Sequence, residues 1–117
     1  MELSEISFAG PKPIDSYGPG FFRVGGMIHH GSLALLPDAL NVWPGSIDFD
    51  FFLERIGQLD VLLVGSGAEI SPLKTQITDK FNNLGVGIET MTTPSACRTY
   101  NMLLAEGRRI GAALIPI

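Results

Sequence analysis

The second half of the chain alternates between unbroken apolar runs and stretches whose apolar residues recur at helical spacing. Val61-Leu62-Leu63-Val64 is an uninterrupted apolar run, the pattern of a strand covered on both faces. Ser71-Pro72 offers an N-cap followed by proline at the first helical position. Leu73, Ile77, Phe81 and Leu84 then repeat at helical spacing until Gly85 stops the helix. Val86 to Met91 predicts the next strand, and Thr93-Pro94 repeats the cap-plus-proline signal for a helix running to Gly107. Ile110 to Ile115, ended by Pro116, predicts a last apolar strand. This β-α-β-α-β order implies helices packed against a central sheet.

The first half has a different rhythm. Glycine and proline cluster at Gly10-Pro11, Gly18-Pro19-Gly20, Gly25-Gly26, Pro37 and Pro44-Gly45. Between them lie Ile6–Phe8, Phe21–Val24, Met27–His29 and Leu33–Leu36, which read as short strands and hairpins, with Gly25-Gly26 one two-residue turn and His30-Gly31 another. These hairpins are expected to extend the sheet or to add a small layer beside it. Asp48 to Ile56 predicts a short helix opened by Ser46 or Asp48 and stopped by Gly57.

Composition narrows the classes. With 117 residues the chain reads as one domain, 1–117, with a single core. It is 45% hydrophobic and 17% charged, with a mean hydropathy of +0.27, which is apolar for a domain of this size. The net charge is −4, and no basic cluster exceeds Arg108–Arg109, so no nucleic-acid partner is expected. One cysteine leaves no internal disulfide and no multi-cysteine metal site. The acidic N-terminus lacks a signal-peptide pattern. The uncharged run Val61 to Ala68 falls far short of the roughly 20 residues that span a bilayer. A cytoplasmic protein without a transmembrane segment is the expectation.

Candidate chemistry centres on the segment 94–109. On a helix, Leu103, Ala96, Tyr100, Leu104 and Cys97 fall within an arc of about 120°, a core-facing stripe with Cys97 on its edge. If Thr93 is the N-cap, Cys97 lies one turn in, where the helix dipole fades, and the only histidines are distant in sequence. Buried packing is the reading preferred over a catalytic thiol. Arg98 points nearly opposite the stripe, near Asn101, Met102 and Ala105. It is either a solvated arginine or, with Asn101, a site for a carboxylate, a phosphate or a partner chain.

Gly65-Ser66-Gly67 follows a buried strand, where open α/β sheets place ligands, and could form a backbone anion nest. A dinucleotide fingerprint would need glycine where Ile70 stands, so no such cofactor is expected. His29 and His30 are adjacent and would face opposite sides of a strand, which disfavours a shared metal. Asp48 and Asp50 read as helix-capping acids. The residues supply no nucleophile–base–orienter set, and no catalytic residue, metal or cofactor is assigned.

Several stretches together resemble a known family. They are residues 16–26 (SYGPGFFRVGG), His30-Gly31-Ser32, Leu36-Pro37, Trp43, residues 62–67 (LLVGSG) and residues 96–108 (ACRTYNMLLAEGR). Their order and spacing resemble the small Mth-type α/β domains of unknown function, over nearly the whole chain. That family includes a mitochondrial respiratory complex I assembly factor and the adipogenesis-associated Mth domain protein. The resemblance implies a three-layer α/β fold with a mixed central sheet and supplies no catalytic mechanism. It also implies a cleft around Cys97, Arg98 and Asn101 with Gly65–Gly67. Without a mitochondrial targeting extension, the chain looks like a bacterial or archaeal-type member.

Two functions are therefore expected from different classes. One is a non-enzymatic accessory or assembly protein with a protein partner, the complex I role being what the resemblance implies. Its partner would be a membrane-complex subunit or another assembly factor. The alternative is a small-molecule or anion-binding domain, with enzyme activity open, using Gly65, Ser66, Gly67 and Arg98. Asn101 and Met102 complete the candidate binding residues.

Overall fold

The structure, a computed structural model, describes residues 6–7, 10–44 and 48–117. Its strands and helices follow in chain order as β1 (Ile6–Ser7), β2 (Ile14–Gly18), β3 (Phe21–Val24), β4 (Met27–His30), β5 (Leu33–Leu35), β6 (Ala39–Val42) and α1 (Asp50–Leu53). A 3-10 turn at Ile56–Gln58 leads to β7 (Val61–Ser66), α2 (Thr75–Asn83), β8 (Gly87–Met91), α3 (Thr93–Ala105) and β9 (Ile110–Ile115).

The strands form a six-stranded sheet in the order β1-β6-β5-β9-β7-β8 and a three-stranded sheet in the order β2-β3-β4. In the large sheet β7 runs parallel to β8 and β9, while β5 pairs antiparallel with both β6 and β9. The sheet is mixed, as the family resemblance implies. The connection from β7 to β8 steps one way along the sheet, and the return from β8 to β9 passes over β7 in the opposite direction. Right-handed crossovers then put α2 and α3 on opposite faces.

Alternation along the buried strands divides the apolar residues between those faces. Leu63 of β7, with Ile110, Ala112 and Leu114 of β9, packs under Ala96, Cys97 and Tyr100 of α3 and under Ile14, Phe22 and Val24 of the small sheet. Leu62 and Val64 pack on the other face with Trp43, Phe49, Phe52 and Phe81. Phe49 lies against Trp43 and Phe81, with ring centroids 5.4 and 5.9 Å apart. Each such fully buried side chain contributes about 1.5–3 kcal/mol. The result is three layers: α3 with the small sheet, the large sheet, and α1 with α2.

The β-α-β-α-β half is present as expected, and the N-terminal hairpins do both things foreseen for them. β5 and β6 extend the large sheet, while β2, β3 and β4 form the added layer. Gly25 and Gly26, with φ of +57° and +83°, supply the left-handed pair that closes the β3–β4 hairpin.

Five local expectations are corrected. His30-Gly31 is no hairpin turn, because β4 and β5 belong to different sheets and the chain crosses between them there. Strands β2 and β6 were missed, since Asp15-Ser16 and Asn41 interrupt their apolar pattern. The helix expected over Asp48–Ile56 shortens to Asp50–Leu53, and Gly57 lies inside the 3-10 turn; Ser46 falls outside the described residues. Ser71-Pro72 does not open α2, which starts at Thr75, because the Ser71 N–H donates to Ser66 Oγ and holds residues 67–71 in a loop. Leu84 lies past the end of α2 and is 52% exposed, off the core stripe. A further shift at the start of α3 bears on the site.

Candidate functional site

The β7–α2 loop and the start of α3 meet at the C-terminal end of the parallel strands. α3 begins at Thr93, one residue earlier than its cap-plus-proline signal implies, with Thr92 at the N-cap position. Thr93 is fully buried and turned inward. Its hydroxyl accepts from the Gly67 N–H at 2.8 Å and donates to the Ile115 carbonyl at 2.5 Å. The Thr93 N–H donates in turn to the Gly67 carbonyl at 2.8 Å. One threonine thus joins β7, α3 and β9.

Gly65 is what lets α3 come this close. A Cβ there would lie 2.9 Å from Thr93 Oγ1 and 3.0 Å from Thr93 Cα, an overlap that only glycine avoids. Gly67 has φ of +95° and turns the chain out of β7. Ser66 Oγ donates to the Glu69 carbonyl at 2.7 Å and accepts from the Ser71 N–H at 3.0 Å. The Gly67 N–H and the Ser66 hydroxyl, the donors an anion nest would use, are therefore engaged within the protein. Sequence reasoning read Thr93 only as a cap and missed this junction. The available signal was the pair of glycines facing a threonine that precedes proline.

All five apolar-stripe residues of α3 sit in or against the core as expected, and Thr93 extends the stripe. With Thr92 at the N-cap position, Cys97 becomes the fifth helical residue. It is 3% exposed, and burial pushes its thiol up to about 11, the Arg98 charge opposing this only in part. A group so placed is a packing residue, protonated at neutral pH. Tyr100 is fully buried, its hydroxyl donates to the Lys12 carbonyl at 2.9 Å, and burial raises its ionisation above the ordinary tyrosine range.

Asn101 has a use that its position in the sequence did not disclose. Its Oδ1 accepts from the Ile14 N–H and its Nδ2 donates to the Ile14 carbonyl, both at 2.8 Å. The amide behaves like one more residue of the ladder and covers the outer edge of β2. The amide expected to face a partner is thus occupied by β2. Arg98 and Met102 remain on the outer face, with Met102 55% exposed. Arg98 is exposed, donates to Ser95 Oγ at 3.2 Å and makes no ion pair among the described residues. Of the candidate residues, α3 therefore groups Arg98 and Met102 on solvent and Asn101 on β2, while Gly65, Ser66 and Gly67 lie at its start.

Among the described residues no three His, Cys, Asp or Glu side chains converge as a metal-binding group. Burial lowers the pKa of His29 on β4. No helix of the described residues is long and apolar enough to cross a membrane.

Comparison with known proteins agrees with this architecture. An uncharacterised protein of Rhodobacter capsulatus is 48% identical over 117 residues, covering 100% of this chain and 94% of that one. The human NADH dehydrogenase [ubiquinone] 1 alpha subcomplex assembly factor 3 is 36% identical over 123 residues, covering 99% of this chain and 67% of the factor. Its zebrafish (Danio rerio) counterpart is 34% identical over 110 residues, with 88% and 63% covered. The chain thus spans about two thirds of the length of these assembly factors. Among solved structures, one described as an outer membrane protein from Bartonella henselae superposes with a TM-score of 0.84 at 35% identity, covering 93% of this chain and 98% of that one. A Mth938-like domain from Bordetella pertussis has a TM-score of 0.76 at 26% identity, covering 99% and 92%. The family model described as a protein of unknown function (DUF498/DUF598) matches residues 14–115, from the strand that Asn101 covers to the last strand of the large sheet, and the chain belongs to that family.

Proposed function

We propose that this protein is a non-enzymatic accessory factor that works through protein–protein contacts in the assembly of the respiratory NADH dehydrogenase, acting from the cytoplasm. The observation that carries the reading is similarity to assembly factor 3 along 88–99% of this chain, α3 included. The contact surface is the outer face of α3. Arg98 offers a planar, permanently charged fork for a carboxylate or carbonyl, and Met102 beside it offers adaptable apolar area. Ala105, also exposed, keeps the last turn of that face flat. Its neighbours Cys97, Tyr100 and Asn101 are committed to the fold, so the face is rigid.

The test uses a strain of the parent organism lacking the gene, complemented with wild type, Arg98→Ala, Arg98→Lys or Met102→Glu. Native gels read the level of assembled NADH dehydrogenase, and affinity isolation reads the recovery of its subunits. Loss of the gene is expected to lower the assembled enzyme. Arg98→Ala should stay within about 0.5 kcal/mol of wild-type stability yet fail to restore assembly. Arg98→Lys should restore it poorly, because an ammonium does not copy the bidentate fork. Normal enzyme in the deletion strain overturns the function. Full rescue by both Arg98→Ala and Met102→Glu overturns the surface.

A further inference from the structure

Sheet edges expose unpaired backbone groups, and each described edge of this fold but one carries a device that blunts pairing. β1 is only two residues long. β8 presents the exposed carboxylate of Glu89. β2 has a register shift between Ile14 and Ser16, and Asn101 occupies the backbone of Ile14. β4, the outer strand of the small sheet, has none of these. It is Met-Ile-His-His, in regular register with β3 from Val24↔Met27 to Phe21↔His30, with Met27 57% and Ile28 46% exposed.

The direction of its free groups follows from the hairpin. A two-residue turn makes Val24 and Met27 a hydrogen-bonded pair, and such pairs alternate along an antiparallel ladder. The Gly31 N–H donates to the Gly20 carbonyl at 2.9 Å, which fixes the same phase at the other end. Phe22 and His29 are therefore bonded to each other, while the N–H and C=O of Ile28 and His30 point away from β3.

We propose that β4 is a self-association edge, pairing antiparallel with β4 of a second copy about a two-fold axis at His29 and joining the two small sheets into one. In this register Ile28 faces His30 of the copy and His30 faces its Ile28, so every outward N–H and C=O of both strands is bonded and none overhangs. The neighbouring symmetric registers do not achieve this: moving the axis to Ile28 would bring in Gly26, whose N–H is already donated to Asp15, and moving it to His30 would bring in Ser32, whose carbonyl already accepts from the Trp43 N–H. The one titratable group set against its own copy is His29, whose imidazole burial biases toward the neutral form. Arg23, the charged cross-strand neighbour of Ile28, is separated from its copy by both β4 strands. This self-complementarity is what favours a second copy over an unrelated strand.

The experiment is sedimentation of the purified full chain over a concentration series, with a cross-linking arm that reads the register. Wild type should show a reversible monomer–dimer equilibrium, and Ile28→Lys should weaken it by about tenfold or more while the circular dichroism melt is retained. Val42→Lys, a change at another exposed apolar position away from β4, should leave the equilibrium unaltered. On mild oxidation His29→Cys should give a disulfide-linked dimer, since non-bonded antiparallel pairs bring opposite Cβ atoms near disulfide range. Ile28→Cys should cross-link far less, because its own copy lies diagonally across the axis. A wild-type chain that stays monomeric throughout overturns the proposal, whether β4 is covered by another segment or by another protein. So does an Ile28→Lys chain that associates as wild type does, or cross-linking that is equal at the two positions.

Discussion

Replacing Asn101 with aspartate isolates the contact by which α3 holds the edge of the small sheet. The native amide matches the Ile14 backbone on both sides, accepting from its N–H and donating to its carbonyl at 2.8 Å each. Aspartate keeps the size and still accepts from the Ile14 N–H. Once ionised it has no proton for the Ile14 carbonyl and sets a charged oxygen against it. One hydrogen bond, about 0.5–1.5 kcal/mol, is lost, and a part-buried carbonyl left unpaired costs about 1–3 kcal/mol if water cannot reach it. With partial hydration, about 2 kcal/mol is expected at neutral pH. For a chain of 117 residues, the usual unfolding entropy per residue converts this to a fall in Tm of about 8 °C. Protonation restores the donor, so the variant's carboxyl should titrate in the folded state above its unfolded value of about 3.9. The restored bond is then fully present below that unfolded value and is lost as pH rises through the raised folded one. Thermal melts of variant and wild type, paired at each pH from about 4 to 7, should show the gap widening as pH rises. A variant as stable as wild type at neutral pH would refute the argument, and so would a gap that does not close in acid.

Two further outcomes test the core beneath the site. Thr93→Val keeps the shape of the buried side chain but strands the Gly67 N–H and the Ile115 carbonyl, and should cost about 2–4 kcal/mol in a denaturant titration. Thr93→Ser should recover most of that, and an unshifted midpoint for Thr93→Val would show that the hydroxyl does not join the three elements. Cys97, held near 11 by burial, should react with a chromogenic disulfide reagent at neutral pH far more slowly in the native protein than in denaturant. Equal rates would mean that the thiol is not packed against the sheet.

The fold was legible where one local signal had one physical meaning. The apolar run at Val61–Val64 could be satisfied only by cover on both faces, and Leu62 and Leu63 do enter opposite cores. Gly25-Gly26 needed left-handed backbone and has it. Reading failed where a residue that favours one structure locally is recruited by a distant one. Ser71 has the composition of a cap, but its N–H is taken by Ser66 and the helix waits until Thr75. β2 fails the apolar test because only Ile14 is buried along it, its other side chains being exposed or half-buried.

The candidate site divides in the same way. Helical spacing alone separated the buried stripe of α3 from Arg98 and Met102, because that geometry is fixed within the helix. It could not place Asn101, since a position at the border of a stripe belongs to whichever element arrives beside it. Here that element is β2, 87 residues earlier in the chain. The same border position that looks like an offered amide in sequence is, in the fold, the lock on an edge strand. Arg98 and Met102 are a different case, because the guanidinium bonds only Ser95 one turn away on the same helix and the methionine stays exposed. What distinguishes recognition residues from structural ones on this helix is therefore not polarity but whether the fold has already used their contacts.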